Sequence, residues 1–353
     1  MKTTHMFNAG IDYVDFRFSN RVRKLVLIVV TFLIALPNYS VAAKSDSVAT
    51  WNESLIPIQI APKLNPGELT ASLYKVTNAQ NLVVLLHGCG QSAIDFANHG
   101  GFYAMARRFE ANLLLIQQSQ QNNPQGCFNW FSEHDTTVGK GEYASIMAFV
   151  FQAEKQLTSP QARFLIGLSA GAAMANALYA QQPEQFDGLA VVAGIPFPCA
   201  QSLVQAISCM KVGPNQSGKA MAQSAMSSGS NTLGSNLTRG NHVIVITGTG
   251  DRIVSPNNSE LTVSQYKHLL GLTELPSKQE GDGYSKMIYH QTDSKIPAQI
   301  DYYQVLDMDH GLPVDSRTLS GERAAPYFLD VGFSASSSIF STWFGARKNN
   351  ASS

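Results

Sequence analysis

Ser169 is the residue whose setting points most directly to chemistry. It lies in Gly167-Leu168-Ser169-Ala170-Gly171, between the β-rich segment Arg163–Ile166 and the helix-forming run AGAAMANALYA. A serine on a sharp strand-to-helix turn, flanked by glycines that avoid collision, is the arrangement of an activated nucleophile for acyl transfer. Such a serine needs a base to take its proton and an acid to orient that base. With this turn the partners follow the serine in chain order, acid then histidine, each just past a strand. VIVITGTGD places Asp251 past one apolar run, and YYQVLDMDH places His310 past another. His87, His99 and His134 precede Ser169, His5 lies near the start, and His242, His268 and His290 do not follow strands. Asp307 and Asp309 are rival acids, but they neighbour His310 itself, whereas Asp251 comes from a separate strand end.

The reaction also needs donors for the developing oxyanion. The N–H of Ala170, at the start of a helix, is one. The second is expected from the loop after an earlier strand, and LVVLLHGCGQS offers Cys89 first and Gly88 second. No metal or organic cofactor is required. The four cysteines are Cys89, Cys127, Cys199 and Cys209. An even count after an export signal reads as two disulfides with three possible connectivities. The short spacing favours Cys199 with Cys209, which leaves Cys89 with Cys127. Zinc is the competing reading, but no CxxC spacing supports it.

These residues have to be positioned by strands. Leu82–Leu86, Leu113–Ile116, Arg163–Gly167, Leu189–Ala193, Val243–Thr247 and Asp301–Leu306 are short apolar runs without polar alternation, the pattern of strands buried on both faces. Phe102–Phe109, Tyr143–Leu157 and Ala170–Gln181 read as helices. Strands alternating with helices predict an α/β fold: a doubly wound, mostly parallel sheet with helices on both faces. Residues 44–345 are expected to form one catalytic domain. Residues 44–80 read as a lead-in, 215–241 as a flexible excursion or cap, and 346–353 as a disordered tail.

Composition narrows the class. The chain has 353 residues with 25 Lys+Arg against 25 Asp+Glu, which argues against a nucleic-acid partner. With 44% hydrophobic and 14% charged residues it is not a disordered chain. Arg17, Arg21, Arg23 and Lys24 precede the apolar run Leu25–Leu36, which is too short for a comfortable membrane span and fits the core of an export signal. Pro37 ends the run, and Ser40-Val41-Ala42-Ala43 places cleavage after Ala43. The expectation is a signal peptide at 1–43 and a secreted or periplasmic chain, the alternative being an uncleaved anchor.

The ordered set LLHGCGQS, NNPQGCFNWF, GLSAGAAMA, AGIPFPCA, Cys209-Met210, DMDHGLPVD and AAPYFLDVGFSASSSIFSTWFG resembles the poly(3-hydroxybutyrate) (PHB) depolymerase and esterase family of α/β-hydrolases over about residues 55–345. The resemblance implies Ser169 as nucleophile, Asp251 as acid, His310 as base, Cys89 as oxyanion donor and Trp130 as an aromatic beside the ester. It implies hydrolysis of a neutral ester polymer or its oligomers. DMDH carries Asp309 where a glycine usually precedes the histidine, and DVGFS lacks a cysteine that many relatives have. No polymer-binding module is read after residue 345. A feruloyl or acetyl esterase acting on polysaccharide is the neighbouring reading. A non-catalytic binding protein on the same scaffold is a reading of another class.

Overall fold

In a computed structural model, the described residues are 55–228, 241–291, 298–318 and 320–350, with backbone alone for 346–350. The export signal read at 1–43 lies outside them. The strands are β1 (Leu55–Ile58), β2 (Thr70–Tyr74), β3 (Asn81–Leu86), β4 (Ala111–Gln117), β5 (Arg163–Leu168), β6 (Gly188–Val192), β7 (His242–Gly248), β8 (Ser277–Gly281), β9 (Tyr284–His290), β10 (Gln299–Val305), β11 (Leu312–Val314) and β12 (Phe328–Asp330). Ten of them form one sheet in the order β1-β2-β4-β3-β5-β6-β7-β10-β9-β8. From β4 to β10 the neighbours are parallel. The outer pairs are antiparallel.

The apolar runs form the centre because both faces of each strand are covered. Leu82, Val84 and Leu86 of β3 enter one core, and Val83 and Leu85 enter the other, as the two-residue period of a strand requires. The first core is closed by α4 (Gly141–Glu154), α5 (Ala170–Gln181), α7 (Gly218–Ser228) and α8 (Asn257–Leu269). The second is closed by α1 (Ala93–His99), α2 (Phe102–Phe109) and α9 (Ala335–Asn350). In α9, the Trp343 and Phe344 rings pack 4.7 and 4.9 Å from that of Phe164 on β5. Two short helices, α3 (Glu133–Thr136) and α6 (Leu203–Val212), complete the set.

The structure adds strands at both edges of the expected sheet. The lead-in contains β1 and β2, and a β8–β9 hairpin precedes β10. Edge strands are covered less fully, so their composition is not that of the centre. All five residues of β8, SKQEG, are exposed, and β1 contains Pro57, which an edge tolerates. Within 215–241, residues 218–228 form α7, whose Met221, Ala222 and Ala225 are buried, and 229–240 lie outside the described residues.

Register decides where the loops meet. Leu86 of β3 pairs with Gly167 of β5, Val192 of β6 with Ile246 of β7, and Gly248 of β7 with Val305 of β10. The carboxyl ends of β3, β5, β7 and β10 therefore share one edge of the sheet, where open α/β sheets place their sites.

Candidate active site

Ser169 joins β5 to α5 with φ 55° and ψ −118°, a conformation an L-residue adopts only when its surroundings impose it. Its N–H donates to Val192 O at 2.9 Å and its carbonyl accepts from Ala173 N–H at 2.9 Å. The flanking glycines allow strand and helix to touch. A Cβ on Gly167 would stand 2.4 Å from Gly171 O, and one on Gly171 would stand 2.2 Å from Leu86 O.

The structure brings the three residues singled out by sequence into one line. His310 Nε2 lies 2.9 Å from Ser169 Oγ, and His310 Nδ1 lies 2.8 Å from Asp251 Oδ2. Asp251 Oδ1 accepts from the N–H groups of Ile253 and Val254, both at 2.9 Å, so the carboxylate is aimed from behind. An acceptor-only carboxylate at Nδ1 places the imidazole proton there and leaves Nε2 free to accept from the serine hydroxyl. Asp309 is occupied elsewhere. It takes a forked pair of hydrogen bonds from Arg252, at 3.2 and 2.7 Å, and accepts from His310 N–H at 2.8 Å. Arg252 holds its carboxyl down at about 2, so it stays ionised beside the histidine without touching the ring. Asp307 N–H donates to Thr249 Oγ1.

The loop after β3 is organised by two side chains that sequence reading left without a role. His87 is fully buried, and its Nδ1 lies 2.7 Å from Gly88 O while its Nε2 accepts from Gln118 N–H at 3.1 Å. Burial pushes its pKa down, so it is held neutral as a structural group. Gln91 Oε1 accepts the Gly88 N–H at 2.8 Å. Gly88 is thus not the free second donor that sequence allowed, although it still lines the site. The amide of Cys89 is next along the loop. Ala170 N–H is the first of α5, without a helical carbonyl to accept it.

The cysteines form two disulfides, Cys89–Cys127 and Cys199–Cys209. The first ties the loop after β3 to the segment ending in Trp130. Glu142, fully buried at the start of α4, holds the same segment. Its carboxyl accepts from Gln118 Nε2 (2.5 Å), Asn122 Nδ2 (2.9 Å) and Asn129 N–H (2.9 Å). Burial pushes this carboxyl up to about 8 against the pull of those donors. Only its place at the start of an apolar helix marked Glu142 in the sequence.

A cavity of about 120 Å³ opens beside Ser169, lined by Gly88, Cys89, Gln91, Leu168, Met210, Ile253, His310 and Tyr327. Trp130 is not among these residues. It is 8% exposed and packs in a small cluster with Ala170, Ala173 and Cys209, underneath the site. An aromatic residue near a motif supports either placement, and burial decides for packing. Tyr327 and Met210 lie within motifs of the resemblance, but nothing in the sequence shows that their loops fold over Ser169. Tyr327 has φ 66°, and its ring stands edge-on to His310 with centroids 6.1 Å apart.

Comparison with known proteins fits this geometry. Residues 69–283 match the family model described as esterase PHB depolymerase. Poly(3-hydroxyalkanoate) depolymerase C of Paucimonas lemoignei is 31% identical over 258 residues, covering 72% of this chain and 61% of that protein. The chain thus spans about three fifths of the length of that relative. Feruloyl esterase B of Talaromyces funiculosus is 23% identical, covering 74% of this chain and 76% of its own. Among solved structures, acetyl xylan esterase from Aspergillus awamori superposes with a TM-score of 0.62 at 20% identity, over 73% of this chain and 94% of that one, a likeness of fold. With the α/β-hydrolase sheet and a family match over most of the sheet strands, the chain belongs to the PHB depolymerase esterase family.

Proposed function

We propose that the protein hydrolyses short-chain hydroxyacid polyester, poly(3-hydroxybutyrate) or its oligomers, through Ser169, His310 and Asp251. The observation that carries this reading is the unbroken line from Ser169 Oγ to His310 Nε2 and from His310 Nδ1 to Asp251. His310 takes the serine proton as Oγ attacks the ester carbonyl. Asp251 keeps the productive tautomer and stabilises the imidazolium. The N–H groups of Cys89 and Ala170 receive the oxyanion, a contribution of about 3 kcal/mol for one such donor. His310 then protonates the leaving alcohol, and water releases the acyl group from Ser169 by the reverse sequence.

Pocket size favours a short acyl group. A dry cavity of about 150 Å³ holds a benzene-sized molecule. The cavity of about 120 Å³ beside Ser169 has room for a four-carbon acyl group and opens to solvent, where the rest of a longer ester would extend. The similarity to feruloyl esterase B keeps aromatic esters as the second reading. The apolar run at 25–36 and the two disulfides support action outside the cytoplasm. Purified protein offered amorphous poly(3-hydroxybutyrate), p-nitrophenyl butyrate and methyl ferulate side by side is expected to clear the polymer and cleave the butyrate. Release of ferulate alone would favour the second reading. Ser169→Ala is expected to abolish turnover and labelling by a fluorophosphonate, and residual turnover near wild type would remove the assignment.

A further inference from the structure

The partners of Ser169 sit on two loops, residues 249–254 after β7 with Asp251 and residues 306–310 after β10 with His310. Just past the strands the backbone joins them. Thr249 N–H donates to Val305 O at 2.9 Å, and Gly250 N–H donates to Met308 O at 3.0 Å. The approach there is close, since a Cβ on Gly248 would stand 2.1 Å from Met308 O. From Asp251 onward, the described residues show no backbone-to-backbone hydrogen bond between the two loops. The stretch that must align acid with base is therefore one that the sheet no longer holds.

A side chain makes the next crossing. Asp309 Oδ1 accepts from Arg252 N–H at 3.1 Å and from His310 N–H at 2.8 Å. The first amide directly follows Asp251 and the second belongs to the base itself, so one oxygen spans from loop to loop. The other oxygen, Oδ2, receives the Arg252 guanidinium through Nε and Nη2. Arg252 is 85% exposed along its side chain, and an exposed ion pair adds little stability by itself. Its effect is directional: it fixes the rotation of the carboxylate and keeps it ionised as an acceptor for both amides. Asp309 stands where the family pattern has a glycine, which could make none of these bonds. Neither Asp309 nor Arg252 lines the cavity beside Ser169.

We propose that Asp309 is a positioning residue: its carboxylate clasps the loop of Asp251 to the loop of His310 and so keeps acid, base and Ser169 in line during turnover. The inference rests on the reading of the Ser169 site as an ester hydrolase. Asp309 Oδ1 meets main-chain amides, while the His310 ring takes its partners from Asp251 and Ser169, so the influence of Asp309 passes through the loops. A displacement of about 1 Å between reacting groups can cost about 100-fold in rate. A bond that fixes their backbones thus has more leverage on turnover than on stability.

The test is Asp309→Ala, with Asp309→Asn as the conservative variant that keeps a carbonyl oxygen for both amides. On p-nitrophenyl acetate, Asp309→Ala is expected to lower kcat about tenfold with KM within about twofold, and to slow fluorophosphonate labelling in parallel. Asp309→Asn is expected to recover most of that loss. In an Asp251→Asn background, Asp309→Ala is expected to cost less than about twofold, because the alignment it protects is already lost. A residue that only stabilised the fold would cost the same in both backgrounds. Proton NMR of the wild type is expected to show the His310 Nδ1 proton far downfield in its bond to Asp251, and Asp309→Ala is expected to broaden that signal as the contact opens to water. A folded Asp309→Ala protein with kcat within about twofold of wild type, or with an equal loss in both backgrounds, overturns the proposal. If Asp309→Ala does not fold, Asp309→Ser, whose oxygen stands one atom nearer its own backbone, replaces it under the same criteria. Should the wild type cleave no ester and take no label, the functional reading fails, while the NMR comparison still judges the clasp.

Discussion

At the residue scale, the geometry assigns different work to the two carboxylates nearest His310. Asp251 holds the ring, and Asp309 holds Arg252. Replacing Asp251 with Asn keeps the shape but presents an amide N–H to Nδ1, which favours the wrong tautomer. The expected result is a loss on the order of 10³- to 10⁴-fold in kcat on a p-nitrophenyl ester, with an unchanged circular dichroism spectrum. Asp309→Asn leaves the Nδ1 contact in place and is expected to cost far less in the same assay. Glu142 gives a second prediction. Its carboxyl titrates near 8 in the folded chain against an ordinary value of 4.5. Folding then takes up a proton between those values, so this contribution is complete below pH 4.5 and is lost as pH rises through about 8. Chemical denaturation of wild type and Glu142→Gln across pH 5 to 9 checks it. The variant is expected to lose a downward slope of at most about 1.4 kcal/mol per pH unit.

At the element scale, the contact between β5, α5 and the end of β3 is closer than a side chain permits. Gly171→Ala would place a methyl carbon against Leu86 O, and the strand or helix would have to move. Overpacking of this kind costs about 1–3 kcal/mol, measurable as a lower midpoint in denaturant. A larger fractional loss of kcat is expected, because the same shift moves Ser169 relative to His310. The elements legible in the sequence were those with one environment along their length. The β3, β5, β6 and β7 runs are apolar on both faces, and α5 is buried throughout. β8 was illegible because its side chains meet solvent, and its pairing with β9 is a backbone matter. Ser169 and Asp251 were legible because each follows such a run, and His310 because it follows β10, the last strand of the sheet in the chain. Gln91, Met210 and Tyr327 were not, since their place in the site depends on how separate loops fold over one another.

At the scale of the whole molecule, the site lies at the carboxyl ends of strands far apart in sequence. β3 ends at Leu86, β5 at Leu168, β7 at Gly248 and β10 at Val305. Each pairing among parallel neighbours closes a long loop before any contact offsets its entropy, so such sheets form slowly. His310 reaches Ser169 only after β10 has docked beside β7, with the β8–β9 hairpin inserted between them in sequence. The Ser169–His310 contact therefore requires β10 in place, and the proposed hydrolysis would report on that strand as well as on β5. In refolding from denaturant with the disulfides intact, ester hydrolysis is expected to return after most of the far-ultraviolet signal. A chain cut short before residue 299 would lose both His310 and the helix whose Trp343 and Phe344 cover Phe164 of β5, so the site and its scaffold depend on the same final segment.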